Sequence, residues 1–212
     1  VLSSVVMGNL AVTHGMPAPL ALFCGLLTGT ICGVVNGFLV ALVRLPPFIV
    51  TLGTWFIFEA ANFIYSQNAT IRAQDVEASA PLLQFLGNTF RIGGAVFTYA
   101  VVAVVLLVAL FYYILNHTAW GRHVYALGDD PDAARLSGIS TRRVLISVYA
   151  VAGLICGFAG WALIGRLGSV SPTSGYEANI QSITAVVIGG TSLFGGRGSV
   201  IGTLIGALIV GV

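Results

Sequence analysis

Uncharged apolar runs that are long enough to cross a lipid bilayer constrain this sequence more than any other feature. Residues 1–43 contain no acidic or basic residue, and the first charge in the chain is Arg44. About 20 apolar residues in a helix cross the hydrocarbon core of a bilayer. Because hydrocarbon offers no hydrogen-bond partners to the backbone, such a run satisfies its own backbone groups by forming a helix. With 57% hydrophobic and 8% charged residues, the chain has the composition of an integral membrane protein.

Measured against this length, the sequence predicts an all-α, polytopic membrane bundle that forms a single domain over residues 1–212. Turns or polar stretches separate the predicted spans, which are 1–12 (partial), 18–43, 48–65, 95–115, 144–164, 180–196 (broken) and 199–212 (partial). Pro46 and Pro47 mark one of these turns. Because apolar residues stand at both ends of the chain, we expect it to be truncated there and further spans to precede and follow it.

The span at 180–196 is predicted to be broken or re-entrant. Its apolar part is too short to cross a bilayer, and five glycines follow within residues 189–198. Irregular backbone at membrane depth lies against protein or a water-filled cavity. Two interpretations stay open: the glycines let backbone groups line a cavity at membrane depth, or they allow two helices to cross closely.

Arginine placement predicts the orientation. The stretch 117–143 contains four arginines, whereas the stretch 66–94 contains two arginines and two acids. Since short cytoplasmic loops are enriched in basic residues, we expect 117–143 to be cytoplasmic and 66–94 to lie outside.

The cytoplasmic stretch also predicts a short helix outside the membrane. Pro131 suits a first helical turn, and the acids Asp129, Asp130 and Asp132 favour a helix N-terminus. Gly138 is a residue type that ends helices. The sequence therefore predicts one short amphipathic helix that starts at Pro131.

This segment resembles the cytoplasmic motif of ABC importer permeases, which reads Glu-Ala-Ala, three residues, then Gly. Asp132-Ala133-Ala134 with Gly138 has that spacing, with Asp in place of Glu. The stretches 45–54, 149–165, 168–175 and 185–198 resemble the ribose and fructose permease branch, and the chain as a whole looks closest to fructose-type members.

The resemblance implies a permease subunit that moves a monosaccharide inward across a bacterial inner membrane, with 66–94 on the periplasmic side. It implies four partners: ATP-binding-cassette ATPase subunits, a periplasmic sugar-binding protein, a second permease subunit in a homodimer, and membrane lipid. In this family the short cytoplasmic helix couples the permease to the ATPase. The implied coupling residues are Asp129, Asp130, Pro131, Asp132, Ala133, Ala134, Arg135, Leu136, Gly138 and Ile139.

Candidate residues for the sugar pathway are polar, aromatic or glycine positions in or beside the spans. Trp55, Glu59 and Asn62 share one helical face by their spacing. Amide and hydroxyl groups suit hydrogen bonds to a sugar, and Trp55 or Phe194 could stack on a sugar face. The candidates are Thr51, Trp55, Glu59, Asn62, Asn179, Gln181, Thr184, Gly189, Gly190, Ser192 and Phe194.

Glu59 supports a second function. A carboxylate inside an apolar span is a functional site by default, so the chain could be an ion-coupled secondary transporter or a channel. Glu59 could instead lie near the outer interface and be solvated there.

Other functional classes find little support in the sequence. All nine basic residues are arginines, so the given chain has no P-loop lysine, and we expect a partner chain to hydrolyse ATP. No histidine, cysteine or acid pattern predicts a metal site or a cofactor, and no assembled nucleophile and base predicts an enzyme. No basic patch predicts nucleic-acid binding.

Overall fold

The computed structural model describes residues 1–92, 95–175, 177–192 and 195–211. Within these ranges most residues are helical, and two short strands form one antiparallel hairpin. The α-helices in chain order are α1 (Leu2–Gly8), α2 (Ala18–Phe38), α3 (Pro47–Ser66), α4 (Ala73–Ser79), α5 (Pro81–Gln84), α6 (Tyr99–His117), α7 (Ala119–Asp129), α8 (Pro131–Leu136), α9 (Thr141–Leu167), α10 (Ala178–Ile188) and α11 (Val200–Gly211). π-helical turns extend α1 over Asn9–Thr13 and α2 over Leu39–Val43. The predicted all-α class is confirmed.

Four helices of the described chain have the length and composition to cross a membrane. They are Ala18–Val43, Pro47–Ser66, Tyr99–His117 and Thr141–Leu167. Many of their large apolar side chains are exposed, and no residue of the fully described α6 is buried within the chain. Exposing these surfaces to water would cost free energy, whereas lipid tails are as apolar as the side chains themselves.

Proline and left-handed residues mark the ends of these helices. Pro47 is the first residue of α3, a position where its missing N–H costs nothing. Arg44 (φ 60°) follows the π-helical turn that extends α2, and Gln67 (φ 51°) follows α3, so both residues end their helices in a left-handed conformation.

The predicted span 95–115 is wrong at its start. Two strands, β1 (Thr89–Ile92) and β2 (Ala95–Thr98), pair antiparallel, and α6 begins only at Tyr99. The rings of Phe90 and Phe97 are directly opposite each other, with centroids 6.0 Å apart. A short apolar run does not distinguish strand from helix, and Val, Phe and Thr favour a strand when a second strand lies beside them.

The chain forms two compact units. Unit 1 contains Val1–Val102 and Ile146–Ser174, and unit 2 contains Ala103–Leu145 and Gly175–Val212.

The core of unit 1 includes apolar residues from the polar stretch 66–94. Val76 in α4 and Leu83 in α5 are fully buried beside Val5 and Met7 of α1. Trp161 of α9 donates its indole N–H to the carbonyl of Leu82 at 3.2 Å. The part of this stretch that forms α4 and α5 therefore packs into the core of unit 1.

Glycines allow α2 and α9 to approach until their backbones touch. A methyl group placed on Gly29 would lie 2.6 Å from the carbonyl oxygen of Gly153 and 3.1 Å from the Cα of Gly157. A methyl group on Gly33 would collide with the carbonyl oxygen of Tyr149 and lie 3.0 Å from the Cα of Gly153. Small residues at such crossings replace the hydrophobic effect, which is weak between helices in lipid, with close van der Waals packing.

This packing predicts opposite effects for two matched glycine-to-alanine changes. We expect Gly33→Ala to lower stability by about 1–3 kcal/mol, because the new methyl group forces two backbones apart. Gly53 in α3 has open space around it, so Gly53→Ala should be neutral or raise stability by about 0.5–1 kcal/mol through helix propensity. Thermal unfolding midpoints in one detergent compare the two variants, and equal midpoints would contradict this account of the crossing.

Candidate functional site

The segment predicted to couple the chain to an ATPase forms two helices, where the sequence predicted one. Helix α7 precedes α8 and was missed. Its signals are Thr118, whose Oγ1 accepts a hydrogen bond from the N–H of Gly121 at 3.3 Å, and the spacing of Trp120, Val124 and Leu127 on one face. Only Leu127 of these three apolar residues is buried.

Asp130 caps the start of α8. Its Oδ1 accepts hydrogen bonds from the backbone N–H groups of Asp132 at 2.9 Å and Ala133 at 3.0 Å, and Pro131 is the first helical residue. These bonds satisfy two of the amides that a helix start leaves without partners. Asp132 adds negative charge in the first turn, where the helix dipole favours it.

Gly138 ends α8 in a left-handed turn. Its φ is 83°, its N–H donates to the carbonyl of Arg135 at 3.0 Å, and the N–H of Ile139 donates to the carbonyl of Ala134 at 3.1 Å. These two bonds make a Schellman motif, which requires a residue that tolerates positive φ. Helix α8 is thus defined by hydrogen bonds at both ends.

The side chains of α8 divide sharply in exposure. Ala134 is 4% exposed, whereas Leu136 is 90% exposed and Asp132 and Arg135 are also exposed. Leu136 lies in a helix of six residues, which is too short to cross a membrane, whereas α6 is long enough to do so. The helix presents an apolar side chain with charged neighbours on a fixed backbone.

The glycine-rich segment connects α10 to α11 in unit 2. A methyl group on Gly189 would collide with the carbonyl of Gly202, and one on Gly206 would collide with the carbonyl of Ala185. Glycine thus serves a close helix crossing here, as one of the two sequence interpretations expects. Further along, Gly190, Gly195 and Gly196 adopt left-handed backbones with φ of 80°, 99° and 73°.

The end of α7 touches this segment. A methyl group on Gly128 would lie 2.8 Å from the backbone nitrogen of Gly196, and one on Gly195 would lie 2.7 Å from the carbonyl oxygen of Gly128. The hydroxyl of Tyr125 donates to the carbonyl of Gly198 at 3.3 Å. Sequence reasoning did not find this contact, because glycine spacing does not show which glycines meet.

The pathway candidates of α3 lie in unit 1. Asn62 is 2% exposed and donates its Nδ2 to the carbonyl of Pro172 at 2.9 Å, so it joins α3 to the segment after α9. Thr51 donates its hydroxyl to the carbonyl of Pro47 at 3.0 Å. Trp55 and Glu59 are half-buried. The hydrogen bond to Pro172 gives Asn62 a structural role in unit 1, which is separate from its predicted contact with a sugar.

The remaining described candidates lie in unit 2. Gln181 and Thr184 of α10 are exposed, and Asn179 is half-buried. The hydroxyl of Thr184 donates to the carbonyl of Ile180 at 2.9 Å within its own helix. Ser192 is half-buried, and its N–H donates to the carbonyl of Arg197 at 2.8 Å. Phe194 lies outside the described residues, and contact with sugar stays a prediction for all these positions.

Unit 1 contains a cavity of about 310 Å³ between the end of α1, the end of α3 and the segment after it. Both polar and apolar residues line it: Val5, Asn9, Thr13, His14, Tyr65, Ser66, Gln67, Ala69, Ile71 and Val170. These described lining residues include none of the predicted pathway candidates, so sequence reasoning did not find this cavity.

Comparison with known proteins gives consistent results along the whole chain. The fructose import permease protein FrcC of Rhizobium meliloti is 65% identical over 100% of this chain and 59% of its own length. The ribose import permease protein RbsC of Bacillus subtilis is 36% identical over 99% of this chain and 63% of its own length. The galactose/methyl galactoside import permease protein MglC of Escherichia coli is 31% identical over 92% and 57%. The chain therefore spans about 60% of the length of these curated relatives.

No solved structure matches the chain. The resemblance to ribose- and fructose-type permeases is confirmed by these relatives. The family described as branched-chain amino acid transport system / permease component matches residues 1–212. Together with the four span-length helices, this match shows a multi-pass membrane protein, and the chain belongs to that permease family.

Proposed function

We propose that this chain is the membrane-spanning part of an ATP-binding-cassette importer subunit that carries a monosaccharide inward. Relatives named as import permeases for fructose, ribose and galactose support this function. Identity of 65% to the fructose permease, against 36% to a ribose permease, favours a fructose-type sugar over a pentose. A sugar is favoured over the branched-chain amino acid of the family description because the relatives cited above are named for sugars.

The observation that carries the coupling part of the proposal is the exposed apolar side chain on a helix capped at both ends. Helix α8 has Asp130 as its cap and Gly138 as its stop, and it presents Leu136 at 90% exposure. A short, rigid helix with an apolar anchor is suited to a groove in a partner protein. In this proposal the partner is the ATPase subunit. That subunit, and not the permease, hydrolyses ATP.

Charge supports the direction of the assembly. The stretch 117–143, which contains α7 and α8, has four arginines, so we place it in the cytoplasm beside the ATPase. The stretch 66–94, with α4, α5 and β1, then faces the periplasm of a bacterial inner membrane. There it is available to a sugar-binding protein, and a second copy of the permease completes the assembly.

Replacing Leu136 tests the ATPase contact. We expect Leu136→Ala in the full-length permease to weaken association with the coexpressed ATPase about tenfold, since an apolar anchor of this kind contributes on the order of 1.4 kcal/mol. The matched control is Leu106→Ala in α6, where the leucine is 64% exposed and faces lipid in this account. The association is measured as the amount of ATPase that copurifies with the permease in detergent at several dilutions of the complex. Equal retention of the ATPase by both variants would contradict the proposed role of α8.

Glu59 provides a test against ion-coupled transport. We expect uptake by Glu59→Gln to require ATP and no ion gradient, as in the parent protein, because ATP supplies the energy and the carboxylate couples no ion. Uptake of labelled fructose, ribose, galactose and leucine, with the binding protein present, measures rate and substrate class together. If the parent protein takes up sugar on an imposed ion gradient without ATP, and Glu59→Gln loses that uptake, ion coupling through Glu59 replaces this proposal.

A further inference from the structure

We propose that the contact of Gly128 with Gly195 and Gly196 transmits movement of α8 to the α10–α11 hairpin. This inference rests on the proposed function, because it takes α8 to be the element that the ATPase moves. It adds the residues through which that movement passes within the permease. All of these residues belong to unit 2.

The first step of the path is stiff because α7 and α8 are joined directly. Asp129 is the last residue of α7, and Asp130 is both the C-cap of α7 and the N-cap of α8. The N–H of Asp130 donates to the carbonyl of Ala126 at 3.1 Å, while its Oδ1 accepts two bonds from α8. A displacement of α8 therefore moves the end of α7 with it.

The second step is a contact between backbones. A methyl group on Gly128 would lie 2.8 Å from the nitrogen of Gly196, and one on Gly196 would lie 3.1 Å from the Cα of Asp129. The closest atoms on both sides are backbone atoms, and the one side-chain atom near Gly196 is Oδ1 of Asp129. A change of rotamer therefore cannot relieve the contacts between the backbones. Close-packed contacts of this kind transmit strain.

The third step makes the receiving element a single body. Helices α10 and α11 cross at Gly189 and Gly202 and again at Ala185 and Gly206, with backbone in contact at both places. The left-handed backbones of Gly195 and Gly196 form part of the loop that joins these helices, directly beside Gly128. A displacement of Gly195 and Gly196 therefore acts on α11, which follows them in the chain, and on α10 through the crossing.

Tyr125 holds the two segments together. Its hydroxyl donates to the carbonyl of Gly198 one turn before the glycine contact. At the opposite end of α7, Gly121 packs against the backbone of Leu115 in α6, where a methyl group would collide. Helix α7 thus contacts α6 at its first turn and the glycine-rich segment at its last turn. Movement of its last turn therefore passes to the glycine-rich segment.

Two variants of the full-length permease, assembled with its ATPase and binding protein in lipid vesicles, test this path. Gly128→Ala inserts a methyl group into the backbone contact, and Tyr125→Phe removes only the hydroxyl that bonds Gly198. Gly53→Ala, a helical glycine with open space around it, is the matched control. We expect both variants to retain the ATPase and to hydrolyse ATP, while the sugar transported per ATP hydrolysed falls about tenfold for Gly128→Ala and less for Tyr125→Phe.

The readouts separate this inference from the function on which it rests. Failure of the parent permease to retain any ATPase would overturn the proposed function itself. A parent-like ratio of sugar to ATP in both variants would overturn the transmission path alone. Loss of ATPase retention in both variants would also overturn it, because the contact would then only position α8 for binding. If Gly128→Ala does not assemble, Tyr125→Phe decides, since it adds no volume.

Discussion

Backbone contact through glycine is the interaction on which this structure depends. The helices that cross the lipid gain little from burying apolar side chains against one another, because the surrounding lipid is equally apolar. Packing must come from close approach. In unit 1 the backbones of α2 and α9 meet at Gly29, Gly33 and Gly153, and in unit 2 those of α10 and α11 meet at Gly189 and Gly202. Each contact is specific, since a single methyl group would force the helices apart.

The same interaction connects the polar loop to the apolar helices. Hydrogen bonds define α8 at both ends, and its junction with α7 ends at the contact between Gly128 and Gly196. An ATP-driven importer needs a surface that binds the ATPase and a stiff connection from that surface to the membrane helices. The proposed function uses the first property, through Leu136, and the further inference uses the second.

Sequence reasoning predicted the elements whose signals are local. Uninterrupted apolar residues predicted the helix over Ala18–Val43, and Pro131 and Gly138 predicted the start and the end of α8. It was wrong where a partner in space decides the outcome. Residues 95–98 form a strand because β1 lies beside them. Val76 and Leu83 are buried because α4 packs against the π-helical turn after α1 and α5 packs against α2. The contact between Gly128 and Gly196 could not be predicted, because the positions of glycines in one sequence do not show which of them meet in the fold.

The most direct test of the coupling role of α8 is a crosslink from position 136 in the working assembly. Leu136→Cys is placed in a full-length permease whose Cys24, Cys32 and Cys156 are replaced by alanine, and a short bifunctional thiol-to-amine reagent is added to membranes that contain the ATPase. We expect a covalent permease–ATPase product whose yield changes when nucleotide is added. Modification of Cys at this position by a membrane-impermeant reagent applied to the periplasmic face, with no ATPase product, would contradict it.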